Sequence, residues 1–290
     1  TGSGHNIKST VFIETRAMYR STGPEEMKPV GEVEFAQGLA AASASGIYGP
    51  TRVASAIVGH ANLLLGTAVE AVLYQLKNAS PNRFRGIRHT ITWDPHPEIP
   101  NTAEHKVEGQ LSHPKFIDGA RVLAQMDLSF DAWLYFPQLV ELAQFAKKVP
   151  DLKIVLNHIG GLLRTGPYSN NNSEVLNLWR KGIDAVSECP NIVVKLGGIT
   201  QPRTGYDWHA RPIPIGSNEL SQVMAPLMNY CINKFGPDRC MFASNFPVDR
   251  LCGDLDTILL GFREIVNTLP ETTLDALFHR NAARIYRFNR

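Results

Sequence analysis

Short runs of β-branched and other apolar residues alternate, from one end of the chain to the other, with longer segments whose apolar positions recur every three or four residues. That rhythm is the pattern of a parallel sheet with crossover helices. Strands are predicted over 10–14, 53–58, 84–88, 129–133, 154–157, 192–196 and 240–243. Helical spacing covers 33–44, 67–77, 115–125, 137–148, 173–187 and 218–235, and resumes at 255–267, 272–279 and 281–286 after the last strand. The expected fold class is α/β, a (β/α)8 TIM barrel, with residues 1–290 forming a single domain. Seven strands are one short of the closed barrel, and TGSGHNI runs directly into the first of them, so a preceding strand and helix are expected to be missing from this chain.

Composition narrows the partner. A formal charge of +2, with Lys and Arg scattered among Asp and Glu, gives no basic stripe for nucleic acid or a membrane surface. A small-molecule substrate is expected, and homo-oligomerisation stays open. The four cysteines, Cys189, Cys231, Cys240 and Cys252, form no CxxC pair, so neither a disulfide framework nor a thiolate zinc site is expected. With no segment of the roughly 18 apolar residues that span a bilayer and no signal-peptide pattern, the expectation is a soluble, cytoplasmic protein.

Chemistry concentrates where apolar strands end in polar residues, which in an α/β barrel is the catalytic face. In KIVLNHIGG, Ile154, Val155 and Leu156 run into Asn157, His158 and a Gly-Gly turn. His158 is placed to act as general acid, general base or metal ligand, or else as a hydrogen-bonded core histidine. In CMFASNFPVDR the run ends in Ser244, Asn245 and Asp249. Asp249 is the carboxylate able to take a proton from water, unless it pairs with Arg250, Arg16 or Arg88 or caps a helix. Asn245, a neutral amide, is suited to orienting water or substrate. Lys195 interrupts NIVVKLGG and Glu14 ends STVFIET, so each needs a partner, whether substrate or a Glu14 pair with Lys195 or Arg88. Arg85 and Arg88, close together in FRGIRH, suit recognition of a substrate carboxylate. His60 is a weaker candidate, and His5, His96, His105, His113 and His279 are expected in solvated loops or helices. The loops 92–114 and 196–216 follow strands as lids or pocket walls, together with the aromatics Trp93, Trp133, Tyr135, Phe136 and Trp208. HxH, HExxH, GxSxG, Walker and dinucleotide signatures are absent.

The blocks ETRAMYR, VGEVEF, IVGHANL, RFRGIRH, WLYFPQL, IVLNHIGG, VVKLGG and RCMFASNFPVDR together resemble the amidohydrolase-related family of metal-dependent TIM-barrel hydrolases. The resemblance runs almost end to end and implies lactonases acting on sugar lactones or pyrone dicarboxylates, with decarboxylases among the relatives. The family's first-strand His-x-His pair matches no residue here, its eighth-strand aspartate falls on Asn245, and its fifth-strand histidine region carries Phe136. His158 matches cleanly. A zinc site needs three or four N, O or S ligands. The expectation is therefore no metal and no other cofactor, the alternative being a single divalent zinc or manganese completed by ligands not visible here. The expected function is a lactonase opening a small sugar or carboxylated lactone, with His158, Asp249 and Asn245 catalytic and Arg88, Lys195, Glu14 and Arg85 binding substrate. The alternatives are a metal-dependent non-oxidative decarboxylase and an inactive barrel that serves as a binding subunit.

Overall fold

Strands rich in Val, Ile and Ala lie side by side because most of their residues are apolar and need cover from two directions. The computed structural model describes residues 5–103, 107–169 and 172–288, and His105 lies outside them. The strands are β1 (Ser9–Ile13), β2 (Arg52–Gly59), β3 (Phe84–Thr90), β4 (Ser129–Trp133), β5 (Ile154–Leu156), β6 (Ile192–Gly197) and β7 (Cys240–Ala243). They form one curled sheet in sequence order, every neighbouring pair parallel, and β1 and β7 are its two edges.

The outer face packs Ile57, Ile87, Phe130, Leu156, Val194 and Leu196 against the crossover helices in one large core. The inner face gathers Ala56, Val58, Val155, Val193 and Met241, and the final helix, Asn281–Tyr286, closes this interior with Ile285 and Tyr286. Asn281 anchors that helix by donating to the carbonyls of Pro237 and Cys240 at 2.8 and 2.7 Å, at the start of β7.

Element boundaries differ from the pattern where backbone chemistry intervenes. The helix expected over 67–77 begins as a 3-10 turn, Leu63–Ala68, because Gly66 takes φ 64°, and becomes α-helical over Val69–Ala79. The segment 272–279 divides into Glu271–Asp275 and a wider π-helical turn, Ala276–Arg280. No helix among the described residues is long and apolar enough to cross a membrane. All four cysteines are buried and free.

Candidate active site

The turn after β5 is built against the backbone's own preference. His158, Ile159, Gly160 and Gly161 take φ values of 53°, 48°, 77° and 62°, a left-handed run that a β-branched residue such as Ile159 ordinarily avoids. Packing holds it: Ile159 is fully buried, and its carbonyl accepts from the Trp179 indole at 2.8 Å. This turn directs the His158 ring edge-on to Trp133, 5.0 Å between centroids, and flat against Gly198. A Cβ at Gly198 would lie 2.0 Å from His158 Nδ1, and φ there is +65°, so only glycine fits.

The end of β7 repeats the device. Asn245 also sits at positive φ, 51°, a conformation asparagine tolerates. Its amide donates to Asp249 Oδ1 at 2.6 Å, and the Asp249 N–H returns a bond to the Asn245 carbonyl at 3.1 Å. Asp249 is only 2% exposed. Burial pushes its carboxyl up to about 6, against the opposing pull of the Asn245 amide and the Arg203 charge.

Arg203, in the turn Pro202–Thr204, donates to the Gly198 carbonyl at 2.7 Å and lies 4.6 Å over the Trp133 ring. Burial draws its guanidinium down to about 10. His158 is buried among cations: desolvation first, then Arg203, Arg88 and Lys195, hold its imidazole well below the usual value, so the ring is neutral at pH 7.

Deeper in the barrel, Lys195 pairs with Asp131 at 2.5 Å and Arg88 Nε pairs with Glu14 at 2.7 Å. Burial lowers the Lys195 ammonium's pKa while Asp131 opposes that shift. The structure places His158 after β5 and Asn245 and Asp249 after β7, with β6 between them, and the Arg203 charge acts on both His158 and Asp249, while Lys195 and Arg88 also act on His158 and Glu14 pairs with Arg88. It does not bring Arg85 among them: that residue sits at the start of β3, the strand's other end, and donates to the carbonyls of Asn82, Phe84 and Arg287. Asp249 faces Arg203 rather than Arg250, which is exposed, or Arg16, which donates to the Thr102 carbonyl. His60 lies with its Nδ1 3.0 Å from the Arg88 carbonyl.

Two site residues escaped the sequence reading. Asp131 carried the same signal as Lys195, a charge inside an apolar strand. Arg203 carried none, since it lies in an aperiodic loop. Among the described residues, buried polar atoms with no protein hydrogen-bond partner include Glu14 Oε2, Asn157 Oδ1, His158 Nδ1 and Arg203 Nε, and also Glu32 Oε2, Gln110 Oε1 and Glu141 Oε1.

Comparison with known proteins agrees with this architecture. The amidohydrolase family model matches residues 51–288. A Sinorhizobium fredii protein named "Uncharacterized protein y4mH" is 30% identical over 272 residues, covering 94% of this chain and 80% of its own. An L-fucono-1,5-lactonase of Burkholderia ambifaria is 26% identical over 254 residues, covering 82% and 74%. An amidohydrolase of Burkholderia multivorans, solved with bound zinc, superposes with a TM-score of 0.70 at 23% identity, over 89% of this chain and 79% of that one.

That zinc corrects the expectation of no metal. Proteins of this fold do hold a divalent ion, and tallying recognisable ligand motifs in one sequence was no ground for excluding it, because such sites draw ligands from several strand ends. Among the described residues, however, no group of three or more His, Cys, Asp or Glu side chains gathers to hold an ion. His158 and Asp249 alone do not fit one. By the extent of the family match and the end-to-end similarity to its relatives, the chain belongs to the amidohydrolase family of hydrolases.

Proposed function

We propose that this hydrolase is a lactonase that opens a small sugar or carboxylated lactone by attack of water. The observation that carries the reading is Asp249: a buried carboxyl raised to about 6, oriented by Asn245 and facing Arg203, the same guanidinium that acts on the neutral His158. A general base works best when its pKa lies near the working pH. The name L-fucono-1,5-lactonase borne by the Burkholderia ambifaria relative supports the substrate class.

In the proposed sequence Asp249 accepts a proton from water as the oxygen attacks the lactone carbonyl. The neutral His158 imidazole donates a hydrogen bond to the developing oxyanion, and Arg203 balances its charge. The tetrahedral intermediate then collapses with cleavage of the ring C–O bond. Asp249 returns its proton to the leaving oxygen, giving a hydroxy acid and restoring the carboxylate. Lys195, held by Asp131, supplies positive potential for a substrate carboxylate. A small-molecule enzyme of the cytoplasm accords with the four unpaired cysteines.

The test is a screen of sugar lactones and pyrone dicarboxylates against the purified chain, with and without added zinc or manganese, using His158→Ala as control. Opening of at least one lactone, at least a hundredfold faster than by the variant, is expected. Release of CO2 from aromatic acids, with no lactone opened, would overturn the reading in favour of a decarboxylase.

A further inference from the structure

The barrel interior contains one polar assembly that the proposed mechanism uses only in part. Asp131 is fully buried in the middle of β4, with Arg88 and Val155 as its register neighbours. Its Oδ1 accepts from Lys195 at 2.5 Å, from the Asn157 amide at 3.1 Å and from the Tyr286 hydroxyl at 2.9 Å. Its Oδ2 accepts from Tyr286 at 3.1 Å, and among the described residues no other donor reaches that oxygen. Tyr286 comes from the final helix, is 1% exposed, and places its ring 5.3 Å from the Lys195 ammonium. A single phenol therefore bridges both oxygens of the carboxylate that holds the lysine.

From this geometry we propose that Tyr286 is a positioning residue: by bonding both oxygens of Asp131 it fixes the carboxylate that pins the Lys195 ammonium beneath the His158 site, so the last helix sets the enzyme's affinity for anionic substrate. Without the phenol, Oδ2 is buried and unbonded, a condition that drives a carboxylate to turn in search of a donor. Lys195 then loses its fixed partner. The inert alternative is a tyrosine that merely fills the bottom of the barrel, and Tyr286→Phe separates the two because it removes the hydroxyl and keeps the ring.

The kinetic arm rests on the lactonase reading; the labelling arm does not. In Tyr286→Phe we expect brief acylation followed by peptide mass spectrometry to modify Lys195 at least fivefold faster than in the unaltered chain, relative to the exposed Lys234. With a lactone substrate, KM for a carboxylated lactone should rise about tenfold, with kcat and KM for an uncharged lactone changing less than twofold. Tyr286→His, which restores a ring donor, should recover part of that affinity. Because the effect passes through Asp131, the double variant Asp131→Asn/Tyr286→Phe should be no worse than Asp131→Asn alone. Unchanged Lys195 labelling in folded Tyr286→Phe would overturn the proposal, as would losses that add in the double variant. Faster labelling in a protein that opens no lactone would uphold the positioning role and remove the lactonase reading instead.

Discussion

The two faces of the sheet are built from the same strands and obey different rules. Outward, Ile57, Ile87, Phe130, Leu156 and Val194 form an unbroken apolar layer against the helices. Inward, the same strands present Arg88, Asp131 and Lys195 among Ala56, Val58 and Val193. Burial is nearly complete on both sides. On the outer face it supplies folding free energy, about 25 cal/mol per Å2 of apolar surface removed from water. On the inner face it is spent against charged groups, whose desolvation offsets much of what their pairing returns. The difference teaches that the inner face is shaped by chemistry, since an apolar filling there would serve stability as well or better.

Substitutions should separate the faces. The largest effect is expected inside: Asp249→Asn should lower kcat by about 10²–10⁴-fold, the range for loss of a general base, measured by steady-state turnover of whichever lactone the screen identifies. The same change should stabilise the fold. A carboxyl whose native value is raised to about 6 holds its proton more tightly when folded, so its contribution to stability is full below the unfolded value and is lost as pH rises through about 6. Removing the charge should therefore raise stability above pH 6 by on the order of 3 kcal/mol, with little change below pH 4, as read by urea melts at both pH values.

Outside, Phe130→Ala should destabilise by about 3–5 kcal/mol through the cavity it leaves, with turnover per folded molecule unchanged at a temperature where the variant stays folded. Next in size is the pH profile: kcat/KM should fall about tenfold per pH unit below 6 as Asp249 takes up its proton. Smallest is a surface control. Asp127 pairs with Lys153 at 2.8 Å but is 66% exposed, so Asp127→Ala should shift stability by less than about 1 kcal/mol and leave kinetics untouched. If Phe130→Ala impaired catalysis at full folding, or Asp249→Asn melted earlier than the unaltered chain at pH 7, the division between the faces would fail.

Much of the fold was legible in the sequence because it is written in local periodicity: every strand of the sheet was anticipated, with ends displaced by at most a few residues. The strand-end residues His158, Asn245 and Asp249 were legible for the same reason, since a strand that turns polar announces its own end. Arg203 was not, because its contact with Gly198 depends on how an irregular loop folds back, which no periodic signal encodes. Nor was the partner of Lys195: Glu14 and Asp131 both stood in apolar strands, and choosing between them required the register that places Arg88 beside Asp131 and leaves Glu14 to Arg88. Arg85 and Arg88 look equivalent in FRGIRH, but Arg85 opens β3, where the pairing with β2 is interrupted and its guanidinium donates to the Arg287 carbonyl, whereas Arg88 lies further along the strand and pairs with Glu14.

The left-handed turn at His158 and Ile159 bears on how this molecule can be improved. Each non-glycine residue held in that region costs about 1–3 kcal/mol, and of the four residues from His158 to Gly161 only His158 and Ile159 carry that cost. The strain is no free reserve of thermal resistance: glycine at 159 would relax the backbone but empty a fully buried site, a loss of about 2–5 kcal/mol. A lineage selected for endurance would therefore have to rebuild the packing around the segment that aims the imidazole, and would be expected to slow as it did so.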